Sequence, residues 1–263
     1  MRLHPSSPSP TDPSPGSVAA VGLARNEGQW KIVPMENILV PAPTPAHNPD
    51  RDRLRRVGRK VRDRLAANPA VYTVPTDKAE IYAVGDFFDD VECGRLMAIT
   101  DAVAKPSRAF DAEYSSGYRT SYSGDVDPTD PFIRKLQRRI DDLLGIDPTY
   151  GETIQTQRYL PGQRFQAHTD WFPAGTPYWE QEKDRGGQRS FTAMAYLNAV
   201  EEGGSTDFPR LGLSFEPRAG TLLIWNNADE DGVPNPWTIH AGTPVVRGVK
   251  YIITKWYRCR RWH

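Results

Sequence analysis

The sequence predicts a mainly β, α+β fold in which N-terminal helices brace a double-sheet antiparallel barrel. Three observations predict it. Helical periodicity is confined to the first 145 or so residues, and everything after reads as strands and turns, an order that opposes a βαβ fold. The later apolar segments are short, rich in β-branched and aromatic residues, and bounded by Gly, Pro, Asn or Asp. The chain has 263 residues, 38% of them hydrophobic, with formal net charge +0, which suits one sizeable domain plus extra segments. A barrel carrying a ligand in its mouth satisfies all three.

The elements follow in order. Residues 1–48 read as a disordered Pro/Ser-rich tail, because 6–17 is almost entirely Ser, Pro, Thr, Asp and Gly. The segment 29–35 is the exception, a docking segment or short strand. Residues 49–75 form a basic amphipathic helix and linker. Asp50 is its expected cap, and Leu54, Val57, Val61 and Leu65 share one face. The other face carries Arg51, Arg53, Arg55, Arg56, Arg59, Lys60, Arg62 and Arg64. Either it meets an acidic partner or it is the solvated side of a packed helix, and the neutral balance of the whole chain favours the second. Residues 76–263 form the main domain. A strand is expected over 79–84, then a helix from Asp86 towards Ala104 with Val91 and Met97 inward and Lys105-Pro106 as its stop. Residues 114–123 alternate polar and aromatic types. Asp130-Pro131 caps a further helix with Ile133, Leu136, Ile140 and Leu143 on one face. Strands are expected over 153–159, 190–199, 221–225 and 248–257.

Several classes are excluded. No apolar run approaches the ~18 residues of a membrane span, and the first residues lack the apolar core of a signal peptide. The two cysteines, Cys93 and Cys259, form no C-x-x-C pair and read as reduced thiols of a cytoplasmic protein. Of the five histidines, only His168 and His240 fall inside the expected folded body, which leaves no histidine- or cysteine-rich zinc site.

Those two histidines carry the chemistry. In an extended backbone, side chains two apart point the same way, so His168 and Asp170 of the run His168-Thr169-Asp170 face one point. His240 from a neighbouring strand would complete two imidazoles and one carboxylate on a single face of a metal, the donor set of non-haem Fe(II) oxygenases. Lys250 lies between Val249 and the apolar Tyr251-Ile252-Ile253. Either its ammonium snorkels to solvent or it is held inside to neutralise a carboxylate.

Together these features resemble the prolyl 4-hydroxylase group of Fe(II)/2-oxoglutarate dioxygenases. The resemblance spans about 81–256. It rests on Phe87-Phe88 with Glu92-Cys93, Tyr159 and Gly162 before His168-x-Asp170, and Tyr196-Leu197-Asn198 with Gly203-Gly204-Ser205-Thr206-x-Phe208. Gly220, His240-x-Gly242-x-Pro244-Val245 and Gly248-x-Lys250-Tyr251 complete it. Phe165 stands where many members have tyrosine, and 173–187 and 226–236 are individual to this chain. The resemblance implies a double-stranded β-helix (jelly-roll) core. It implies Fe(II) on His168, Asp170 and His240, and 2-oxoglutarate held at its distal carboxylate by Lys250, with help from Tyr159 and Thr206. Trp256 would line the cosubstrate pocket. It implies O2 as oxidant, ascorbate as reductant, and succinate and CO2 as coproducts of C–H hydroxylation. Asp170 occupies the position that related halogenases leave to a halide, so hydroxylation is expected.

The leading expectation is hydroxylation of prolyl residues in a peptide or protein. The alternatives are a hydroxylase of a free amino acid or small metabolite, a non-catalytic barrel that binds without turnover, and an interaction protein working through the basic helix. Presence of all three metal-binding residues and the lysine opposes the non-catalytic barrel. Nucleic-acid demethylases resemble this chain in H-x-D and H but carry arginine where Lys250 stands, so a nucleic-acid substrate is not expected. Arg119 is a candidate substrate contact or a surface ion-pair member.

Overall fold

The computed structural model describes residues 49–107 and 118–263. The tail expected over 1–48, with its segment 29–35, and the first part of the alternating stretch 114–123 lie outside the described residues. Helices α1 (Arg51–Ala66), α2 (Asp90–Val103), α3 (Pro131–Leu144) and the short α4 (Pro177–Glu182) accompany an otherwise β structure. The strands are β1 (Tyr72–Thr73), β2 (Ile81–Val84), β3 (Lys105–Pro106), β4 (Tyr122–Asp125), β5 (Gln155–Tyr159), β6 (Phe165–His168) and β7 (Arg189–Tyr196). They continue with β8 (Glu202–Gly203), β9 (Thr206–Phe208), β10 (Leu213–Phe215), β11 (Leu222–Asn226), β12 (His240–Gly242), β13 (Val245–Arg247) and β14 (Lys250–Arg258).

The strands pair antiparallel in an eight-stranded sheet ordered β1-β2-β11-β7-β14-β5-β4-β3, a four-stranded sheet ordered β10-β9-β12-β6, and the small pair β13-β8. Alternation along the central strands divides the core in two. Ala193 and Ala195 of β7, Ile224 of β11 and Ile253 of β14 join Val61, Leu65, Leu96, Ile133, Leu136 and Ile140 of the helices. Their sequence neighbours Met194, Tyr196, Leu223, Trp225 and Ile252 turn the other way, to Tyr159, Phe208 and Phe215. Both faces of the central strands are therefore buried, and β11 reads as a near-continuous apolar run for that reason.

Local chemistry sets the element ends. Asp89 caps α2, its Oδ1 accepting from the Glu92 amide at 2.7 Å, while the Asp89 amide donates back to Glu92 Oε2. Asp130 caps α3 with Pro131 behind it, and Gly145 ends the helix at φ 66°. Gly220, at φ 74°, precedes β11 where its carbonyl accepts from the amides of Phe87 and Phe88.

Three expectations need correction. Asp50 stands at the start of α1 but makes no capping bond. Its carboxylate is buried and accepts from the Gln188 amide at 3.1 Å, with Arg260 at 3.6 Å. A distant amide outcompetes the helix's own. Val91 points outward, 81% exposed, because Cys93 and Leu96 take the inward face of α2. On α3, Leu144 rather than Leu143 is fully buried. The apolar stripe of α1 does pack, with Leu54, Val61 and Leu65 in the interior, so this helix shares its core with the rest of the domain. No helix among the described residues is long and apolar enough to cross a membrane.

Candidate metal centre and cosubstrate recess

Strand pairing builds the centre. His168 is the last residue of β6, His240 the first of β12, and the two are direct partners across the ladder. Their ring centroids lie 4.3 Å apart. Asp170 falls beyond the strand end, in the bend that follows, so the extended backbone expected through it stops at His168. The bend nonetheless turns its carboxylate back. Oδ1 lies 4.0 Å from His168 Nε2 and Oδ2 3.8 Å from His240 Nε2, and the three candidate ligand atoms fall within 4.8 Å of one another.

The tautomers follow from the backbone. His168 Nδ1 is 2.9 Å from the Gln166 carbonyl, and His240 Nδ1 is 3.0 Å from that of Thr238. A carbonyl only accepts, so each Nδ1 carries the proton and each Nε2 presents a lone pair to the shared point. Burial, with His240 beside it, pushes His168 down to about 3, keeping it neutral. Burial opposes the charge of Asp170, but His240, His168, Arg189 and the Thr192 hydroxyl together hold it below the ordinary carboxylate range. Two imidazole Nε2 atoms and one carboxylate on one side of a point fit Fe(II), with positions left for other ligands.

The surroundings pin these side chains. Phe165 stacks on His168 at 3.7 Å between centroids, and Arg119 lies over the Phe165 ring at 4.7 Å. Arg119 bonds Ser121 and Gln155 and forms no ion pair among the described residues. The Trp225 ring meets His240 edge-on at 4.8 Å. Arg189, held by Glu152 at 2.7 and 2.8 Å, reaches to 4.0 Å from Asp170 Oδ1.

Lys250 opens β14 opposite Tyr159 of β5 and is 2% exposed. It does not snorkel. Its Nζ lies 5.4 Å from the ring centres of both Tyr159 and Tyr196 and 3.4 Å from Thr206 Oγ1. No carboxylate among the described residues forms an ion pair with it. Burial pushes it down to about 7, with Asp207 pulling weakly the other way. A buried ammonium in such a place is costly unless an anion joins it. The Tyr159 hydroxyl donates to Gln157 Oε1 at 2.7 Å rather than turning to Lys250.

Tyr159, His168, Asp170, Thr206, His240, Lys250 and Trp256 all line one recess. The indole Nε1 of Trp256 is buried without a partner among the described residues. The recess also takes in Gln157, Phe165, Met194, Trp225, Gly242, Ile252 and Thr254, which sequence reading did not single out for it. For some, a signal existed. Counting by twos from Lys250 along β14 gives Ile252, Thr254 and Trp256, and from Tyr159 back along β5 gives Gln157. Met194 and Trp225 carried no such marker.

Comparison with known proteins agrees with this geometry. Residues 154–258 match the family model of the 2OG-Fe(II) oxygenase superfamily. The chain is 28% identical over 215 residues to a probable prolyl 4-hydroxylase 4 of Arabidopsis thaliana, covering 72% of this chain and 70% of the relative. It is 32% identical over 196 residues to probable prolyl 4-hydroxylase 3 of the same plant, covering 65% and 66%. Among solved structures it resembles a viral collagen prolyl hydroxylase from Paramecium Bursaria Chlorella virus-1, solved as its 2OG complex. The TM-score there is 0.53 at 29% identity, over 67% of this chain and 94% of the other.

Proposed function

We propose a function from this premise: the chain belongs to the prolyl 4-hydroxylase family of Fe(II)- and 2-oxoglutarate-dependent oxygenases. It is a dioxygenase that uses Fe(II) and 2-oxoglutarate, with ascorbate the usual reductant of the family. Our reading is that it hydroxylates prolyl residues within a peptide or protein. One observation carries the assignment of the site. The two Nε2 lone pairs and the Asp170 carboxylate converge at one part of a recess whose lining also holds a buried ammonium without an anion.

In this reading His168, Asp170 and His240 hold the metal, and Lys250 grips the distal carboxylate of 2-oxoglutarate. Thr206 Oγ1 is close enough to Lys250 to share that carboxylate. Tyr159 reaches it by turning its hydroxyl away from Gln157. Trp256 forms the wall, its unpartnered Nε1 available to a bound oxygen atom. With Fe(II), 2-oxoglutarate and O2 in place, the chemistry supplied is oxidative decarboxylation to succinate and CO2 coupled to insertion of one oxygen into a substrate C–H. The chain's own part is to orient both reactants, hold both imidazoles with Nε2 towards the metal and exclude bulk water from the deep end of the recess.

The two facing sheets support a double-stranded β-helix core within residues 76–263, against which α1 also packs. Both cysteines are free thiols, which supports the cytoplasm as its compartment. The test is mass spectrometry of proline-rich peptides after incubation with Fe(II), ascorbate and 2-oxoglutarate. The expected result is gain of one oxygen on proline with matching succinate, both absent in His168→Ala. Succinate release with free amino acids but not with peptides would replace the peptide by a small metabolite.

A further inference from the structure

We propose that Asn227 and Thr192 act as a relay that positions the Asp170 carboxylate for metal binding. This rests on the reading of Asp170 as a ligand. Thr192 sits in the middle of β7 at 0% exposure, and Asn227 follows directly on β11 at 1%. The Thr192 hydroxyl is 2.7 Å from Asp170 Oδ2, and Asn227 Nδ2 is 2.9 Å from the same hydroxyl oxygen.

The direction of the relay follows from counting protons. An ionised carboxylate only accepts, so the single hydroxyl proton of Thr192 goes to Asp170. The hydroxyl oxygen is then left to accept, and only the amide nitrogen of Asn227 can donate to it. Were the Asn227 carboxamide turned over, its oxygen would compete for that same proton. The backbone of Asn227 is itself fixed, its amide donating to the Ser190 carbonyl at 2.8 Å and its carbonyl accepting from Asn235 at 2.9 Å.

A stability role alone does not account for Asn227. Its Oδ1 is buried without a partner among the described residues, an arrangement that costs about 1–3 kcal/mol. An apolar residue of similar shape would avoid that cost. The carboxamide is there for what its nitrogen does: it holds the Thr192 hydroxyl in one rotation. That hydroxyl occupies one lone pair of Oδ2 and sets the plane of the carboxylate, which faces His240 through Oδ2 and His168 through Oδ1. Arg189 approaches the other oxygen through Nη1 only at 4.0 Å, beyond hydrogen-bond distance, while its Nε and Nη2 bond Glu152. Orientation by direct hydrogen bond therefore falls to Thr192. Both residues are positioning residues, acting through Asp170 rather than on substrate.

The probe is Mn(II) alone, titrated into the full chain and followed by tryptophan fluorescence, with Trp225 packed on His240 as a near reporter. Thr192→Val keeps shape and removes the proton; its Mn(II) affinity is expected to fall about 10- to 100-fold, the usual effect of losing such a partner. Thr192→Ser restores affinity to within about threefold of the parent. Asn227→Leu, which frees the hydroxyl to turn, loses about threefold to tenfold. Metal-free melting temperatures should stay close to the parent for the Ser and Leu variants, which separates positioning from folding. If Thr192→Val fails to fold, the Leu and Ser variants decide. Parent-like Mn(II) affinity in Asn227→Leu and in every folded Thr192 variant overturns the relay and leaves the metal centre standing. A parent chain that does not bind Mn(II) overturns the metal centre and the relay with it.

Discussion

Replacing Lys250 by methionine should move stability and cosubstrate binding in opposite directions. The side chain is 2% exposed, and burial holds its ammonium down to about 7 from 10.5. That gap corresponds to about 5 kcal/mol against the charged form, of which about 4 kcal/mol applies at pH 7. The sign is the reverse of a lysine that gains a partner. Here the unfolded chain binds the proton more tightly, so the penalty is complete below pH 7 and disappears as pH rises towards 10.5. Stability without ligand should therefore increase across that window, by at most about 1.4 kcal/mol per pH unit. Lys250→Met keeps length and packing and removes the penalty. Its expected gain at neutral pH is about 1–4 kcal/mol, the range seen when buried charge gives way to an apolar side chain. For a domain of this size that is a rise in melting temperature of at least about 2 °C. The same variant loses the counter-charge for a dicarboxylic acid, which should weaken 2-oxoglutarate by about 100-fold or more. Scanning fluorimetry and titration calorimetry read the two effects. In the parent, affinity should also fall about tenfold per pH unit above pH 7, because the neutral amine must first take up a proton. A Met variant that melts lower and binds 2-oxoglutarate unchanged would show that the ammonium is structural and does not face the cosubstrate.

Two further outcomes concern the scaffold. Glu152 is buried, and although burial alone pushes its carboxyl up, Arg189 and then Arg258 pull it below 4.5. Its stabilising contribution is therefore present above 4.5 and lost as pH falls through the lower native value. Glu152→Gln leaves two guanidiniums short of a charge, should cost about 3–5 kcal/mol at pH 7, and should flatten the acid limb of the melting curve against pH. Gly220→Ala places a methyl group against the Phe88 carbonyl at a backbone angle that L side chains avoid. It should cost about 2–4 kcal/mol by chemical denaturation while leaving the metal-binding residues untouched.

Much of this organisation is legible in the residues themselves. The strand segments and the order of helices before strands follow from short-range patterns, and the pairing of His168 with Asp170 from their spacing, whereas the grouping of His240 and Lys250 with them is what the family resemblance implied. What escapes is decided by partners distant in sequence. Asp50 reads as a cap until the Gln188 amide, brought up by the packing of α1, claims its carboxylate. Thr192 and Asn227 are ordinary strand and turn residues until β7 and β11 lie side by side. Val91 satisfies a helical pattern, but which face of α2 meets the sheet depends on where Cys93 and Leu96 find room. Local periodicity names the candidates, and tertiary packing chooses among them.

Each imidazole is aligned by a carbonyl only two residues earlier, Gln166 on β6 itself and Thr238 at the end of the 3-10 turn that leads into β12. Proton placement on both rings is thus inherited from the local backbone and asks nothing of the rest of the molecule. What the molecule must supply is alignment: β12 against β6, with His240 facing His168. Sliding one strand past the other by a single residue would throw one ring to the opposite face of the ladder. Capture of a divalent ion can therefore serve as a stopwatch for folding, since the signal should be silent until these two short strands have closed in their native alignment.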